Sequence, residues 1–390
     1  MNISLPSPDS DALKHSAALV KHIQHQIEKA GGWIDFAQFM NSALYAPGLG
    51  YYSSGAKKFG LAGDFVTAPE ISPMFGQCFA KQAQQILCAV RAQNNAADVL
   101  ELGAGTGRLA HDLLLELDRL DQLPDHYFIL EVSAHLRDEQ HRKLKSELPD
   151  EIANRIVWLE SMPESFHGVV IANEVLDALP VHIIEQGTSS MNEVGVSLES
   201  EHFVWKSKRL ESKGLLDFAT ALELTEGYVT EVSPAATGLI ATLANSLQMG
   251  ALIMIDYGFS RHEYYHPQRR QGTLMCHYRH HSHSDPFLYL GLQDITAHVD
   301  FTRIAEAGVS SGLSFVGYLN QAQFLINCGI MHLLELTSKD DMVAYIAKAA
   351  AVQKLLSPAE MGELFKVIAF EKNIDTDFIG FSQGDKSHTL

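Results

Sequence analysis

The sequence predicts an α/β protein with a doubly wound, largely parallel sheet, and three observations carry that reading. Val99-Leu-Glu-Leu-Gly-Ala-Gly-Thr-Gly107 runs from an apolar strand through an acidic residue into a turn with glycine at Gly103, Gly105 and Gly107, and an amphipathic helix pattern follows from Arg108 to Leu117. Tyr127-Phe-Ile-Leu-Glu-Val132, preceded by Pro124-Asp125, reads as a second short buried strand, and it ends at a carboxylate, Glu131. Val169-Val-Ile-Ala-Asn173 is a third apolar run, and it opens into a polar cluster of Asn173, Glu174 and Asp177. Strands that alternate with helical patterns build parallel sheets, and in such sheets side chains just beyond the carboxyl ends face the ligand crevice.

Taken in order, residues 11–30 read as a helix ended by Gly31-Gly32, followed by Trp33-Ile-Asp-Phe-Ala-Gln-Phe-Met40 and the tyrosine- and glycine-rich stretch Tyr45–Tyr52. Gly63-Asp-Phe-Val-Thr-Ala-Pro-Glu-Ile-Ser72 leads into a helix over 73–90. The sheet core starts near Asp98, with further strands expected at 155–159 and 168–173 and a β-hairpin at 193–197 and 202–206. A helix over 234–248 precedes the strand 251–256, and 313–319 and 365–371 read as closing strands. No repeat or low-complexity linker interrupts the chain, so its pieces are expected in one compact body: a helical lid region over 1–90, then a core over 91–390 with insertions at about 181–230 and 257–300.

Composition narrows the function. The chain has 390 residues and a formal charge of −18, from 29 basic and 47 acidic side chains. No Lys/Arg cluster offsets that charge, which argues against nucleic acid as a partner; an acidic surface suits solubility, or a basic partner such as an Arg-bearing protein segment. No apolar run approaches the ~20 residues of a membrane span. The first nine residues carry neither a secretory signal nor an Arg-rich transit pattern, and four cysteines without metal or redox spacing suit a reducing compartment. The expectation is a cytoplasmic protein. Oligomeric state leaves no signal in the sequence.

The glycine spacing bears on the ligand. Dinucleotide sites use G-x-G-x-x-G, whose last glycine packs helix on strand; Arg108 stands at that place, and the pattern is Glu-x-Gly-x-Gly-x-Gly. This form resembles the first motif of class I methyltransferases, which bind S-adenosylmethionine. The methionine ammonium of that ligand is cationic, so Glu101 beside the turn makes electrostatic sense. Glu131 stands where nucleotide folds place the carboxylate that accepts from both ribose hydroxyls, a feature shared with NAD sites. Two readings stand for the polar cluster. Glu174 and Asp177 would hold a guanidinium by charge-assisted hydrogen bonds, or Asn173 would cap a helix with both carboxylates in its first turn. The run His277-Tyr-Arg-His-His-Ser-His283 beside Cys276 fits no standard zinc spacing, and no metal is expected.

These motifs recur in a fixed series: Gly63–Ser72, the glycine turn, Glu131-Val-Ser-Ala-His-Leu-Arg137, Asn173-Glu-Val-Leu-Asp-Ala-Leu-Pro180, Glu231-Val-Ser-Pro234, Asp256-Tyr-Gly258 and Asp294-Ile-Thr-Ala-His-Val-Asp300. The series resembles the MidA-like family of class I S-adenosylmethionine-dependent methyltransferases, whose mitochondrial members are complex I assembly factors. The chain departs from the family's pattern at Ala104, where proline is common. The resemblance implies a Rossmann-like sheet with helices on both faces, an N-terminal extension and two insertions. It implies a methyltransferase acting on arginine of a protein, such as a respiratory complex I subunit. It also implies that Gly63, Asp64, Thr67 and Glu70 join Glu101, Gly103, Gly105, Gly107, Glu131 and Asn173 around the cofactor, as a lid over the crevice. Glu174, Asp177 and His298 are then the catalytic candidates. A small-molecule methyltransferase, an NAD(P)-linked enzyme and an assembly factor with little chemistry are the competing readings.

Overall fold

The computed structural model describes residues 5–54, 67–338 and 340–390. Seven strands make the body of the main sheet: β1 (Asp98–Leu102), β2 (Tyr127–Leu130), β3 (Ile156–Leu159), β4 (Phe166–Asn173), β5 (Leu247–Phe259), β6 (Ser314–Asn320) and β7 (Phe365–Lys372). They lie in the order β6-β7-β5-β4-β1-β2-β3, and the short strand Val299–Asp300 pairs in parallel with the end of β5 as an eighth. The five strands from β5 to β3 are mutually parallel; β7 is antiparallel to both β5 and β6. The chain builds outward from β1 to β3, then returns to the other side of β1 with β4. That reversal puts the topological switch point at the carboxyl ends of β1 and β4, where open sheets bind ligands.

Both faces of this sheet are covered, which is why its strands read as continuous apolar runs rather than alternating ones. Val99, Ile129, Val169, Ile171, Ile253 and Val367 join one core with the helices Pro73–Arg91 and Arg108–Arg119. The opposite face presents Leu100, Val170, Leu252 and Phe370, also buried. On that side the helix Phe301–Ser310 sits so near that a Cβ at Gly308 would lie 2.3 Å from the Phe370 ring. The helix Pro73–Arg91 starts with proline after Ser72, whose hydroxyl accepts from the Met74 amide.

Contacts divide the chain into two units. The sheet unit comprises 67–175, Leu239–Ser260 and Val299–Leu390; the other comprises 5–54, Leu176–Gly238 and Arg261–His298. The single body and the boundary near residue 90 that the sequence suggested are therefore not what the contacts draw. The helix Pro73–Arg91 buries its apolar side on the sheet, while the N-terminal helices pack with the two segments expected as insertions.

That second unit has its own core of Leu19, Ile23, Ile27, Phe36, Phe39 and Met40 with Val181, Ile183, Val196 and Ile295. Its helix Ser10–Lys29 is capped by Asp9, and Phe36–Tyr45 by Asp35. The expected hairpin is present as Met191–Glu199 and His202–Arg209. Its two-residue turn, Ser200-Glu201, has φ +48° and +69°, the left-handed pair that matches the twist of paired strands. All four cysteines are free thiols. Among the described residues no helix is long and apolar enough to cross a membrane.

At the start of β4 and β5 a row of backbone runs unusually close. Gly168 has φ +146°, and a Cβ there would lie 1.8 Å from the Asp98 carbonyl oxygen; Gly250, at φ +134°, would meet the Gly168 carbonyl at the same distance. Both the conformation and the space demand glycine. Gly168→Ala is expected to cost about 2–4 kcal/mol by forcing β1 and β4 apart. Thermal unfolding should show a midpoint lower by several degrees, and an unchanged midpoint would refute the constraint.

Candidate active site

The glycine turn is left-handed at all three glycines, with φ +60° at Gly103, +55° at Gly105 and +77° at Gly107. Side-chain-bearing residues adopt such angles at a cost, so the spacing Gly-x-Gly-x-Gly is a backbone requirement. A Cβ on Gly103 would come 3.3 Å from Cγ2 of Val175, and one on Gly107 would come 3.4 Å from Leu144. Gly107 is the N-cap of the helix Arg108–Arg119 and offers no side-chain cap bond, which leaves the amides of its first turn facing the crevice.

Three carboxylates surround this turn within the sheet unit. Glu70, on the short helix Ala68–Ile71, accepts a hydrogen bond from the Thr106 hydroxyl. Thr67 caps that helix without a side-chain bond. Gly63 and Asp64 lie outside the described residues. Glu101, fourth residue of β1, is buried and accepts from the Tyr127 hydroxyl at 2.8 Å. Burial pushes its pKa up to about 7; the Tyr127 bond opposes that rise, and the negative Glu131 adds to it.

Glu131 follows β2 directly. One oxygen accepts from the Ser133 amide at 2.9 Å, the other from Gln140 Nε2 at 3.2 Å. The same Gln140 nitrogen donates to the Gly105 carbonyl at 2.8 Å, and Gln140 Oε1 accepts from Trp158 at 2.9 Å. This buried glutamine therefore ties the turn after β1 to the carboxylate after β2. It was absent from the sequence reading because a glutamine inside a helix carries no local signal. Next to Glu131, Val132 is 74% exposed, an apolar side chain open at the same edge of the sheet.

At the end of β4 the helix-cap reading of Asn173, Glu174 and Asp177 does not hold. No helix follows: Glu174 has φ +54°, a left-handed angle that stops one from starting, and its amide donates to the Ile255 carbonyl. Asn173 Nδ2 donates to Glu174 Oε1 at 3.2 Å, and Asn173 Oδ1 is buried with no hydrogen-bond partner among the described residues. A strained non-glycine residue beside an unsatisfied buried acceptor is a frequent sign of a functional position.

Asp177 and His298 belong to the other unit. Asp177 is buried, and its carbonyl accepts from the Ala297 amide. His298 donates its backbone amide to Thr273 Oγ1 at 3.1 Å; burial, with Arg269 nearby, lowers its imidazole to about 4, so it is neutral near pH 7. Nearby, the buried carboxylate of Glu231 accepts from the amides of Thr273 and Leu274 and from the Thr273 hydroxyl. A Cβ at Gly272 would lie 2.1 Å from Glu231, so this motif locks the 272–274 turn onto the strand Val229–Val232. The histidine run is split by a hairpin. His281 and His283 pair with Tyr278 and Cys276, leaving His277 opposite Ser282 on the other face.

A parallel sheet with a reversed last strand, an acidic glycine turn and a carboxylate after the second strand define a nucleotide-type methyl-donor fold. Residues 78–319 match the family model described as "Putative S-adenosyl-L-methionine-dependent methyltransferase", and the chain belongs to that family. Its structure superposes with a TM-score of 0.95 on a Burkholderia thailandensis protein crystallised with S-adenosyl-homocysteine, 48% identical, covering 99% of this chain and 100% of that one. The mitochondrial protein arginine methyltransferase NDUFAF7 homolog of Caenorhabditis elegans is 29% identical over 332 residues, 78% of this chain and 75% of that one. The mitochondrial protein arginine methyltransferase NDUFAF7 of Bos taurus is 29% identical over 385 residues, 90% and 82% respectively. These relatives correct the cytoplasmic expectation, since they are mitochondrial proteins. Free thiols suit any reducing compartment, and the make-up of the first residues does not decide between them.

Glu101 titrates in a defined sense. In the folded chain it stays neutral up to about pH 7, whereas in the unfolded chain it ionises near 4.5. Its contribution to stability is therefore complete below about pH 4.5 and lost as pH rises through 7. Denaturant unfolding of the ligand-free protein and of Glu101→Gln should give a stability difference that moves in the variant's favour across that window. A difference constant from pH 4.5 to 7.5 would show that Glu101 does not titrate in this way.

Proposed function

We propose that this methyltransferase transfers the methyl group of S-adenosylmethionine to an arginine side chain of a protein. The observation that carries the reading is Glu174, strained at the carboxyl end of β4 in the unit that holds the glycine turn. The relatives named as protein arginine methyltransferases support the acceptor class. A respiratory complex I subunit is the substrate we propose at the finer level, on the family resemblance.

When bound, S-adenosylmethionine supplies a methyl group on an electrophilic sulfonium. The residues present fit it. The left-handed turn brings bare backbone to the ligand, and Glu131, held by Ser133 and Gln140, is positioned to accept from ribose hydroxyls. Glu101 and Glu70 place negative charge beside the turn, where a cationic ammonium belongs. A cationic ammonium held there would favour the ionised form of Glu101. Val132 offers an apolar surface for the flat base. Asn173, with its open acceptor, completes the set.

Catalysis then rests on alignment. Glu174 holds the guanidinium through charge-assisted hydrogen bonds and draws its positive charge away from the attacking nitrogen. Asp177 is a further catalytic candidate, from its place in the Asn173–Pro180 motif. His298, buried and neutral near pH 7, is the candidate general base.

Calorimetric titration with S-adenosylmethionine, S-adenosylhomocysteine and NAD tests the cofactor: micromolar binding of the first two and none of NAD is expected. Gly103→Val should abolish that binding, because a β-branched side chain strains the left-handed turn and fills the approach. Retained affinity would remove the turn from the site. Glu174→Gln should keep cofactor affinity while slowing labelled-methyl transfer to arginine-bearing protein by at least about ten-fold. Lost cofactor affinity with unchanged turnover per bound cofactor would make Glu174 a pocket residue instead.

A further inference from the structure

In the second unit, the strand Met191–Glu199 has an unusual pair of neighbours. Along one edge it pairs with His202–Arg209 from Asn192 to Glu199. Its other edge pairs first with His182–Gln186, over Met191 to Val194, and then with Trp33–Asp35, over Gly195 to Ser197. Two strands from distant parts of the chain therefore follow one another end to end along the same edge. Asp35 is the last residue of one and His182 the first of the other, and they meet at Gly195.

Register decides what that junction presents. Asp35 lies opposite Gly195, and Glu193 opposite Ile184. Side chains alternate along a strand, so Asp35, His182 and Glu193 share one face around a residue with no side chain. Nothing larger fits at the centre: a Cβ on Gly195 would lie 2.3 Å from the Ile34 carbonyl and 2.5 Å from the Trp33 ring. One donor atom from each of the three side chains lies within 4.8 Å of the others, with His182 Nδ1 and Glu193 Oε1 at 2.6 Å. Among the described residues no other three His, Cys, Asp or Glu side chains converge in this way. All three are half-buried, open to solvent yet held in place. Asp35 is held by its cap bond to the Gln38 amide at 2.8 Å.

We propose that Asp35, His182 and Glu193 form a binding site for a divalent transition-metal ion, with zinc as the ion it suits best. An imidazole nitrogen and two carboxylate oxygens are a donor set that such ions take with water in the remaining positions. The two negative charges balance the ion's two positive ones. The ion joins the end of Trp33–Asp35, and with it the helix Phe36–Tyr45, to the start of His182–Gln186. No backbone ladder links those two strands. Its role is to clamp that junction, and it takes no part in methyl transfer.

The test uses the full chain without methyl donor, titrated with zinc, manganese and magnesium salts by calorimetry and by thermal shift, and with cobalt by visible absorption. One zinc per chain, bound at least ten-fold tighter than magnesium and raising the melting midpoint, is expected. Glu193→Gln and Asp35→Asn should each weaken zinc binding at least ten-fold and alter the cobalt spectrum. The asparagine retains the helix cap, so that variant stays folded if Glu193→Gln does not. Two outcomes overturn the proposal. One is no saturable zinc binding, which would leave His182 and Glu193 as a hydrogen-bonded pair only. The other is binding unchanged in both variants but lost in His281→Ala with His283→Ala, which would move the ion to the hairpin histidines.

Discussion

Three backbone angles of positive sign, at Gly103, Gly105 and Gly107, set the geometry on which the rest of the site depends. They turn the chain sharply out of a buried parallel strand and into a helix whose first amides have no side-chain cap. Because the neighbouring strands run parallel, their carboxyl ends arrive at the same edge of the sheet. Glu131 after β2 and Asn173-Glu174 after β4 therefore stand on either side of the turn. Gln140 then converts this neighbourhood into a fixed arrangement, since one amide nitrogen serves both the Gly105 carbonyl and the Glu131 carboxylate. The side chain that holds the carboxylate also holds the turn.

Buried acidity is the second theme. Glu101, Glu131, Glu231, Asp256 and Asp294 are all buried in a chain whose formal charge is −18. Burying a carboxylate without partners costs several kcal/mol, and each of these has found hydroxyl or amide donors. Tyr127 serves Glu101, the Thr273-Leu274 turn serves Glu231, and Tyr52 with the Ile295 amide serves Asp294. Donors of this kind add no positive charge, so the ionised members keep these surroundings negative, while Glu101 itself is neutral up to about pH 7. A neutral or cationic ligand group gains from that, whereas a phosphate would meet repulsion, which agrees with a family that binds a sulfonium donor.

Features written in short stretches were legible in the sequence. The apolar runs of β1, β2 and β4, the Glu-x-Gly-x-Gly-x-Gly spacing and the acidic residue after β2 all depend on neighbours in the chain, and all are present as read. The hairpin near residue 200 was visible from alternation, although its left-handed Ser200-Glu201 turn lacks the usual Asn-Gly signature. What failed depended on distant contacts. Of the two readings of Asn173 and Glu174, the helix start fails, because the Ile255 carbonyl on β5 holds the Glu174 amide and the backbone turns left-handed. The helices between Gln321 and Leu356 went unread, as did the strands His182–Gln186 and Val229–Val232. Gln140 gave no sign of its role, since its partners lie on two other loops.

By itself the sequence determined the class of fold, the left-handed glycine turn and the acidic character of its surroundings. Those follow from local hydrophobic periodicity and from the φ angles open to glycine. Tertiary structure alone decided the division into two units, because apolar faces choose partners by packing and not by order in the chain. It also decided which histidine meets which carboxylate. The conspicuous run from His277 to His283 is split across two faces of a hairpin, whereas the solitary His182 is brought to Asp35 and Glu193 by strand register. Register is a property of paired strands, and a single line of residues does not contain it.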